Sequence, residues 1–440
     1  MFVGFACRPV QWPTGKGPLE VADTLYFDTL VALVDHPYQH MVVRNLGSEA
    51  VHIQRIRLSG GLASPFRINV DGYPISEIKD YRVDGNDSFW VFAEIKETYV
   101  PTLPIEAITD SIEFWVGTHK YTTILRGVVV SAVLIEDSVL ACHTQWKSNT
   151  SILLGGDVIV SPGCQLTIEE GATIFAKPRA RLIVYGALRI NGSPSRQVRF
   201  TGTRLDNMHG PAYPAKHQPG QWEGIFIVNP SGVVRLQNTI IENGTIGLYA
   251  ADVAAPSLWM DNVIIRRHSG VGLWAKRSRI EAYDVVLQQA CGSLMVLDSG
   301  GDYQWYHTTA INMGCGWCSR RQTASLQLSN RGGNDLSFRF VNGIVWGEHE
   351  DEIKVVQSGG GQWDVVFEYS AIRDSMDGFS TVQVWNHPPE LVDFCGETPM
   401  PDSGSFVMDR GRVLAQPSAQ YDVTGKWRGD GKPDLGAYER

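Results

Sequence analysis

Arg266-Arg267-His268 is the densest run of side chains able to do chemistry, and it adjoins an apolar triplet, Val263 to Ile265. Two neighbouring guanidiniums match carboxylates bidentately, which suits an acidic sugar. A polysaccharide lyase needs such a cation together with a base beside the abstracted proton. A glycoside hydrolase needs two carboxylates about 5–5.5 Å or about 6.5–9.5 Å apart. Asp261, Asp284, Asp298, Asp302 and His307 stand close enough in sequence to compete for these roles. The catalytic candidates are therefore Arg266, Arg267, His268, Asp298 and His307. The plainer alternative is a solvated face, with at least one of the Arg-Arg-His run turned outward. Neither a paired-Asp phrase nor a dense Asp cluster occurs, which weighs against catalysis.

Tryptophan is the second signal. Trp259, Trp274, Trp305, Trp317, Trp346, Trp363 and Trp385 recur along the C-terminal two thirds. Outward indoles stack on sugar rings or anchor a protein partner; inward ones fill a core. Trp274, Trp305 and Trp346 are the ligand-binding candidates. His209 and His217 share a long loop, but two loop histidines without a third ligand read as solvated. No motif asks for a metal or cofactor.

Seven cysteines are present: Cys7, Cys142, Cys164, Cys291, Cys315, Cys318 and Cys395. An odd number in an exported chain leaves one for a separate job. Cys7 follows a short apolar stretch ending in Ala6, which resembles the end of a bacterial lipoprotein signal and makes Cys7 the lipidation candidate. The Pro- and Gly-rich stretch from Arg8 to Pro18 then reads as a tether. Cys315-Gly-Trp-Cys318 is a CxxC, but its surroundings read as strand and turn rather than the helix start that activates a redox thiol.

These residues need elements to position them. Residues 19–135 show short alternating runs, such as Thr24–Asp28, Val51–Leu58 and Ser88–Ala93, with Gly, Asn, Asp and Pro between them. That pattern predicts a β-sandwich. From residue 136 apolar triplets recur with a period in the low twenties: Asn238–Gly244, Asn262–His268 and Asp284–Ala290. Such a period without helical signal predicts a stack of strand coils, a right-handed parallel β-helix. Ile240, Ile264 and Val286 are expected to align in its inner column. Gly244, Gly270 and Gly292 fall near a bend where positive φ is expected. Asn238, Asn262 and Asp284 should stack at one turn as a polar ladder serving backbone groups. The same register sets Cys291 beside Cys315, a candidate disulfide, with Cys318 competing for the bond.

Asp23–Thr29, Val43–Asn45, Ile56–Gly61, Ser64–Gly72, Asp84–Ser88 and Asp110–Phe114 follow one another in an order that resembles an immunoglobulin-like N-terminal domain. Gly220–Ile227 and the terminal Pro433-Asp-Leu-Gly-Ala-Tyr-Glu439 extend the likeness. The chain as a whole resembles a group of Gram-negative envelope lipoproteins that join such a domain to a right-handed parallel β-helix. The resemblance implies an all-β fold: a tether at 1–18, a sandwich at 19–135, a β-helix at 136–392 and a closing segment at 393–440. It also implies an outer-membrane lipid anchor, with the surface or periplasmic face left open.

Composition agrees with a folded chain. Of 440 residues 43% are hydrophobic and 19% charged, which excludes wholesale disorder. The net charge of −9 speaks against nucleic acid as a partner. The reading is a non-catalytic outer-membrane lipoprotein that binds polysaccharide or docks on another envelope protein. An accessory subunit of an outer-membrane complex and a polysaccharide lyase or glycoside hydrolase are the alternatives.

Overall fold

The computed structural model describes residues 18–35, 37–207, 213–254, 258–318, 321–375, 377–429 and 431–440. Cys7 with most of its tether, and His209 of the long loop, lie outside those residues. Among the described residues the protein is all-β, with single 3-10 turns as its only helical pieces. Two compact units result. One runs to Ala132 and takes in Thr203–Lys216; the other comprises Val133–Gly202 and His217–Arg440.

The N-terminal unit contains two five-stranded sheets. In the first, Gln39–Asn45, Ser88–Ile95 and Phe66–Val70 pair antiparallel at the centre. In the second, His119–Val130 pairs antiparallel with Ile105–Val116 and parallel with Thr24–Val31. Alternation with one phase shift at Gln54-Arg55 explains the packing: Val51, Ile53, Ile56 and Leu58 of one strand turn inward while His52 and Gln54 face water. Phe27 of the second sheet meets Phe66 of the first at 5.2 Å, so the sheets share one apolar core.

The C-terminal unit is a continuous ladder of 21 strands. Each segment pairs in parallel with the segment one coil later: Leu236 with Met260, Met260 with Ala282, Ala282 with Trp305. The result is a helix-like stack of parallel coils with three faces. Leu236, Met260 and Trp305 point inward from the first face, Ile241, Ile265 and Leu287 from the second, Leu248, Leu273 and Met295 from the third. No single coil could bury its apolar side; the stack makes one column.

A polar ladder turns the chain from the first face to the second. Asn238, Asn262, Asp284, His307, Asn342 and Tyr369 occupy the same rung on successive coils, all at φ between 47° and 56°. Asn and Asp tolerate this left-handed conformation best among residues with a Cβ. Asn262 Nδ2 donates to Asn238 Oδ1 at 3.3 Å, and Asn238 Nδ2 to the Gly192 carbonyl at 3.0 Å. Of the three expected residues Asn238 thus serves a turn carbonyl, while Asn262 bonds its neighbour on the ladder and Asp284 accepts from Arg428.

Three expectations require correction. Ile240, Ile264 and Val286 do align, but on the outward side of the second face, where Val423, Ala437 and Tyr438 cover them. A three-residue step from the ladder reaches the column; a two-residue step does not. Gly244, Gly270 and Gly292 do not carry the positive φ, which falls on Asn243, Arg267 and Gln289 instead. The glycines serve close approach: a Cβ on Gly292 would lie 2.5 Å from the Gly270 carbonyl oxygen. Cys291 bonds to Cys318, and Cys315 to Cys395, so the proposed Cys291–Cys315 pair is replaced. Cys315 belongs to a loop that leaves the coil register, and the strand expected to carry it ends at Asn312. Cys142 and Cys164 form a further disulfide.

The closing segment returns along the second face. Arg428 donates to Asp284 and Glu439, Ala437 N–H to Thr309 Oγ1, and Gly436 N–H to the Asn342 carbonyl. Leu435 and Val407 cover Ile344 and Ala371 further along. The terminal Pro433–Glu439 phrase is therefore the lid of an apolar row that would otherwise face water.

Candidate functional site

Counting back from each ladder rung locates the side chains that project from the first face. Three residues before it stand Arg235, Trp259, Glu281, Gln304 and Arg339; one residue before it stand Gln237, Asp261, Tyr283 and Tyr306. The intervening residue points inward, so period two sends both rows to the outer side. Arg235 is exposed, and Trp259, Glu281, Gln304, Tyr306 and Arg339 keep part of their surface in water.

The rows are held in place from below and from the side. The Arg235 guanidinium lies 3.8 Å from the centre of the Trp259 ring, close enough for cation–π attraction. Tyr283 and Tyr306 stack at 5.0 Å with their planes 16° apart. Tyr283 OH donates to Glu281 Oε1 at 2.7 Å, and Gln304 Nε2 to Asp302 Oδ1 at 2.9 Å. Arg339 and Arg412 both bind Glu368. Burial pushes the Asp261 carboxyl up to about 6, against the opposing pull of Arg235 and a hydrogen bond from Ser418. The face combines ring surfaces, amide and carboxylate groups, and cations, repeated once per coil at about 4.8 Å. It can lie along a polymer whose units repeat on a similar scale.

The Arg-Arg-His run is placed differently. Arg266, Arg267 and His268 are all buried, so the solvated-face reading fails; Arg266 shares the outward side of Ile264 but lies under the closing segment. Arg266 Nε donates to Glu242 at 2.8 Å and Arg267 Nη1 to the same carboxylate at 3.1 Å; Arg199 reaches it from another coil. Glu397 of the closing segment binds both guanidiniums from outside, at 3.3 and 3.2 Å. Burial would raise the Glu242 carboxyl, but Arg266, Arg199 and Arg267 together hold it down at about 2. Burial and the adjacent Arg266 lower Arg267 to about 10, and burial lowers His268 to about 4. His268 is neutral at pH 7, its Nε2 3.2 Å from the Ile241 carbonyl. These groups form an internal charge network that fastens the closing segment.

His307 is buried on the ladder against Asn342, with burial and then Arg428 pushing its pKa well below the usual value. Asp298 pairs in register with Lys276 on the third face. The structure does not gather these two with the arginines. Trp305 is fully enclosed in the column, so it offers no ring to a ligand. Trp274 is partly exposed on the third face, edge-on to Tyr249 at 5.7 Å. Trp346 is partly buried against the Ile344 and Ala371 cluster. The outer rows around Trp259 were not singled out from sequence as a site; aligning the chain on the ladder residues exposes them. Among the described residues no group of three or more His, Cys, Asp or Glu is arranged to hold a metal ion. Among the same described residues no helix is long and apolar enough to cross a membrane.

No family model matches the chain, and no curated protein matches it. Among solved structures, a family 123 glycoside hydrolase from Clostridium perfringens, studied for glycolipid glycan hydrolysis, aligns at 15% identity. The alignment covers 29% of this chain and 27% of that one, with a TM-score of 0.19. A likeness that loose carries no argument about fold or activity.

Proposed function

We propose that this protein is a non-catalytic lipoprotein of the bacterial outer membrane that binds polysaccharide along the first face of its coil stack. On this reading the N-terminal unit is an immunoglobulin-like sandwich and the stack a right-handed parallel β-helix. The repeated outer rows from Arg235 to Arg339, with Trp259 and the Tyr283–Tyr306 pair, carry the reading. Trp259, Glu281, Gln304, Tyr306 and Arg339 keep part of their surface in water and Arg235 is exposed, while Tyr283 and Asp261 are buried beside them and the second face is covered by the chain's own terminus. Exposed Arg189 and Arg235 sit on paired positions of adjoining coils and favour an acidic polymer. Disulfides Cys142–Cys164, Cys291–Cys318 and Cys315–Cys395 support an oxidising compartment outside the cytosol. Cys7 is the proposed acylation site and the link to the membrane.

Interferometry on immobilised alginate, polygalacturonate and hyaluronate tests the binding reading. Saturable binding to at least one polymer is expected, weaker at high salt and about tenfold weaker for Trp259→Ala. Wild-type protein that ignores all three, or binding that Trp259→Ala and Tyr306→Ala leave intact, contradicts it. Release of new reducing ends would turn the binder into an enzyme, a lyase where the new non-reducing ends are unsaturated and a hydrolase where they are not. Mild-detergent purification from native membranes tests the rest: an acyl mass on Cys7 supports the anchor, and a stoichiometric membrane protein would instead make this chain an accessory subunit.

A further inference from the structure

The N-terminal unit holds an aromatic cleft that the polysaccharide face does not use. His40 lies opposite Phe92, and Val42 opposite Trp90, on adjoining strands of the first sheet. His40, Trp90 and Phe92 all project from its outer side, away from the shared core. The Asp71-Gly72 turn, at φ 48° and 91°, folds the edge strand back and brings up Tyr73. Tyr38 closes the other side, edge-on to Phe92 at 5.4 Å. These residues line a shallow cleft of about 750 Å³, within the usual range of ligand pockets.

The rings are exposed rather than packed away. Tyr38 is 57% exposed, Tyr73 66% and Trp90 46%. A contiguous aromatic patch left in water marks a binding surface more often than a packing accident. The planes of Trp90 and Phe92 lie 18° apart and form a floor, while Tyr38 stands at 78° to Phe92 as a wall. Asp71 fixes this arrangement. Its Oδ1 accepts the Trp90 backbone N–H at 2.9 Å and its Oδ2 accepts the Tyr81 hydroxyl at 2.5 Å.

Charge decides what fits. Among the described residues Asp71 is the only carboxylate lining the cleft, and both its oxygens accept hydrogen bonds from the fold. No described Lys or Arg lines it. The nearby strand charges Arg67 and Glu94 neutralise each other at 2.6 Å. An anionic ligand would find no counter-ion in the lining, whereas an uncharged sugar offers C–H faces for the ring floor and hydroxyls for the tyrosines, His40 and the turn backbone.

We propose that this cleft binds a neutral saccharide, with Trp90 and Phe92 beneath a pyranose ring and Tyr38 and Tyr73 at its edges. The site is independent of the coil stack and of its proposed acidic polymer. The test titrates the full chain with cellohexaose, xylohexaose, maltohexaose, mannohexaose and chitohexaose, following tryptophan fluorescence and calorimetric heat. At least one is expected to bind saturably. Trp90→Ala and Tyr73→Ala should each weaken it about tenfold or more, while Trp259→Ala leaves it unchanged. Tyr73 projects into water, so its removal tests the site without threatening the fold. If none of the five binds the wild-type protein, the proposal is overturned. It is equally overturned if the bound sugar survives Tyr73→Ala, or is lost with Trp259→Ala instead.

Discussion

Glu242 is where single residues matter most. It neutralises Arg199, Arg266 and Arg267 in a buried setting. Glu242→Gln strands those cations and should cost about 3–5 kcal/mol in denaturant unfolding; a loss near zero would mean the network is solvated. Asp261 predicts the opposite sign. Its carboxyl rises from 3.8 to about 6 on folding, so the native chain binds the extra proton and stability falls as pH rises through that window. Asp261→Asn should therefore raise the melting temperature above pH 6 and leave it unchanged near pH 3. His268 works in a further window. Its pKa drops from 6.5 to about 4, so the unfolded chain binds the proton and stability declines as pH falls from about 6.5 to about 4. His307 shifts in the same direction. A His268→Asn variant should show a shallower acid slope of stability over that interval; an unchanged slope contradicts burial of the neutral ring. Sequence pointed to the Arg-Arg-His run but not to its burial, because its acidic partners Glu242 and Glu397 lie 24 and 131 residues away from Arg266.

At the scale of elements, the ladder made the coils legible. Asn238, Asn262 and Asp284 share a left-handed φ and a rung, and their spacing in the sequence is the coil length. Replacing Asn262 by Ala removes its side-chain hydrogen bond to Asn238 and strains φ, at about 1–2 kcal/mol; Asn262→Gly should restore the backbone part of the loss. Thermal melts of the two variants separate the contributions, and equal losses would argue that side-chain hydrogen bonding dominates. Inside and outside were harder to read. Both Ile240 and Ile241 are apolar, and only the terminal segment folding back over Ile240 explains why an outward residue is hydrophobic. The disulfides failed for a related reason: Cys315 and Cys318 sit in a loop whose path no strand period encodes, and Cys395 reaches it from 80 residues away.

For the whole molecule, the closing segment and the open face are complementary. Tyr438, Leu435 and Val407 cover the second face, Cys315–Cys395 ties the segment down, Ser418 reaches Asp261 at the ladder-side row of the first face, and the row through Arg235, Trp259, Glu281 and Gln304 keeps surface for a ligand. By the chain-entropy account a crosslink closing so long a loop contributes about 4–5 kcal/mol. Cys395→Ser should thus lower the melting temperature and increase binding of a hydrophobic dye, as Ile240, Ile264 and Val286 become transiently accessible; unchanged dye binding would mean the segment holds without its disulfide. The all-β character was plain from alternation and turn residues, and the position of the open face follows from the ladder once the chain is aligned on it. The ligand was not legible, because recognition is spread over one side chain per coil rather than gathered in a motif. Hydroxyl-radical footprinting of the full chain, with and without the polymer it binds best, addresses the central claim most directly. The account predicts that Trp259 and Tyr306 on the first face are protected, while Tyr185 and Trp427, both exposed elsewhere, are modified equally in both states. Protection of Trp274 on the third face, or of no first-face ring at all, would contradict it.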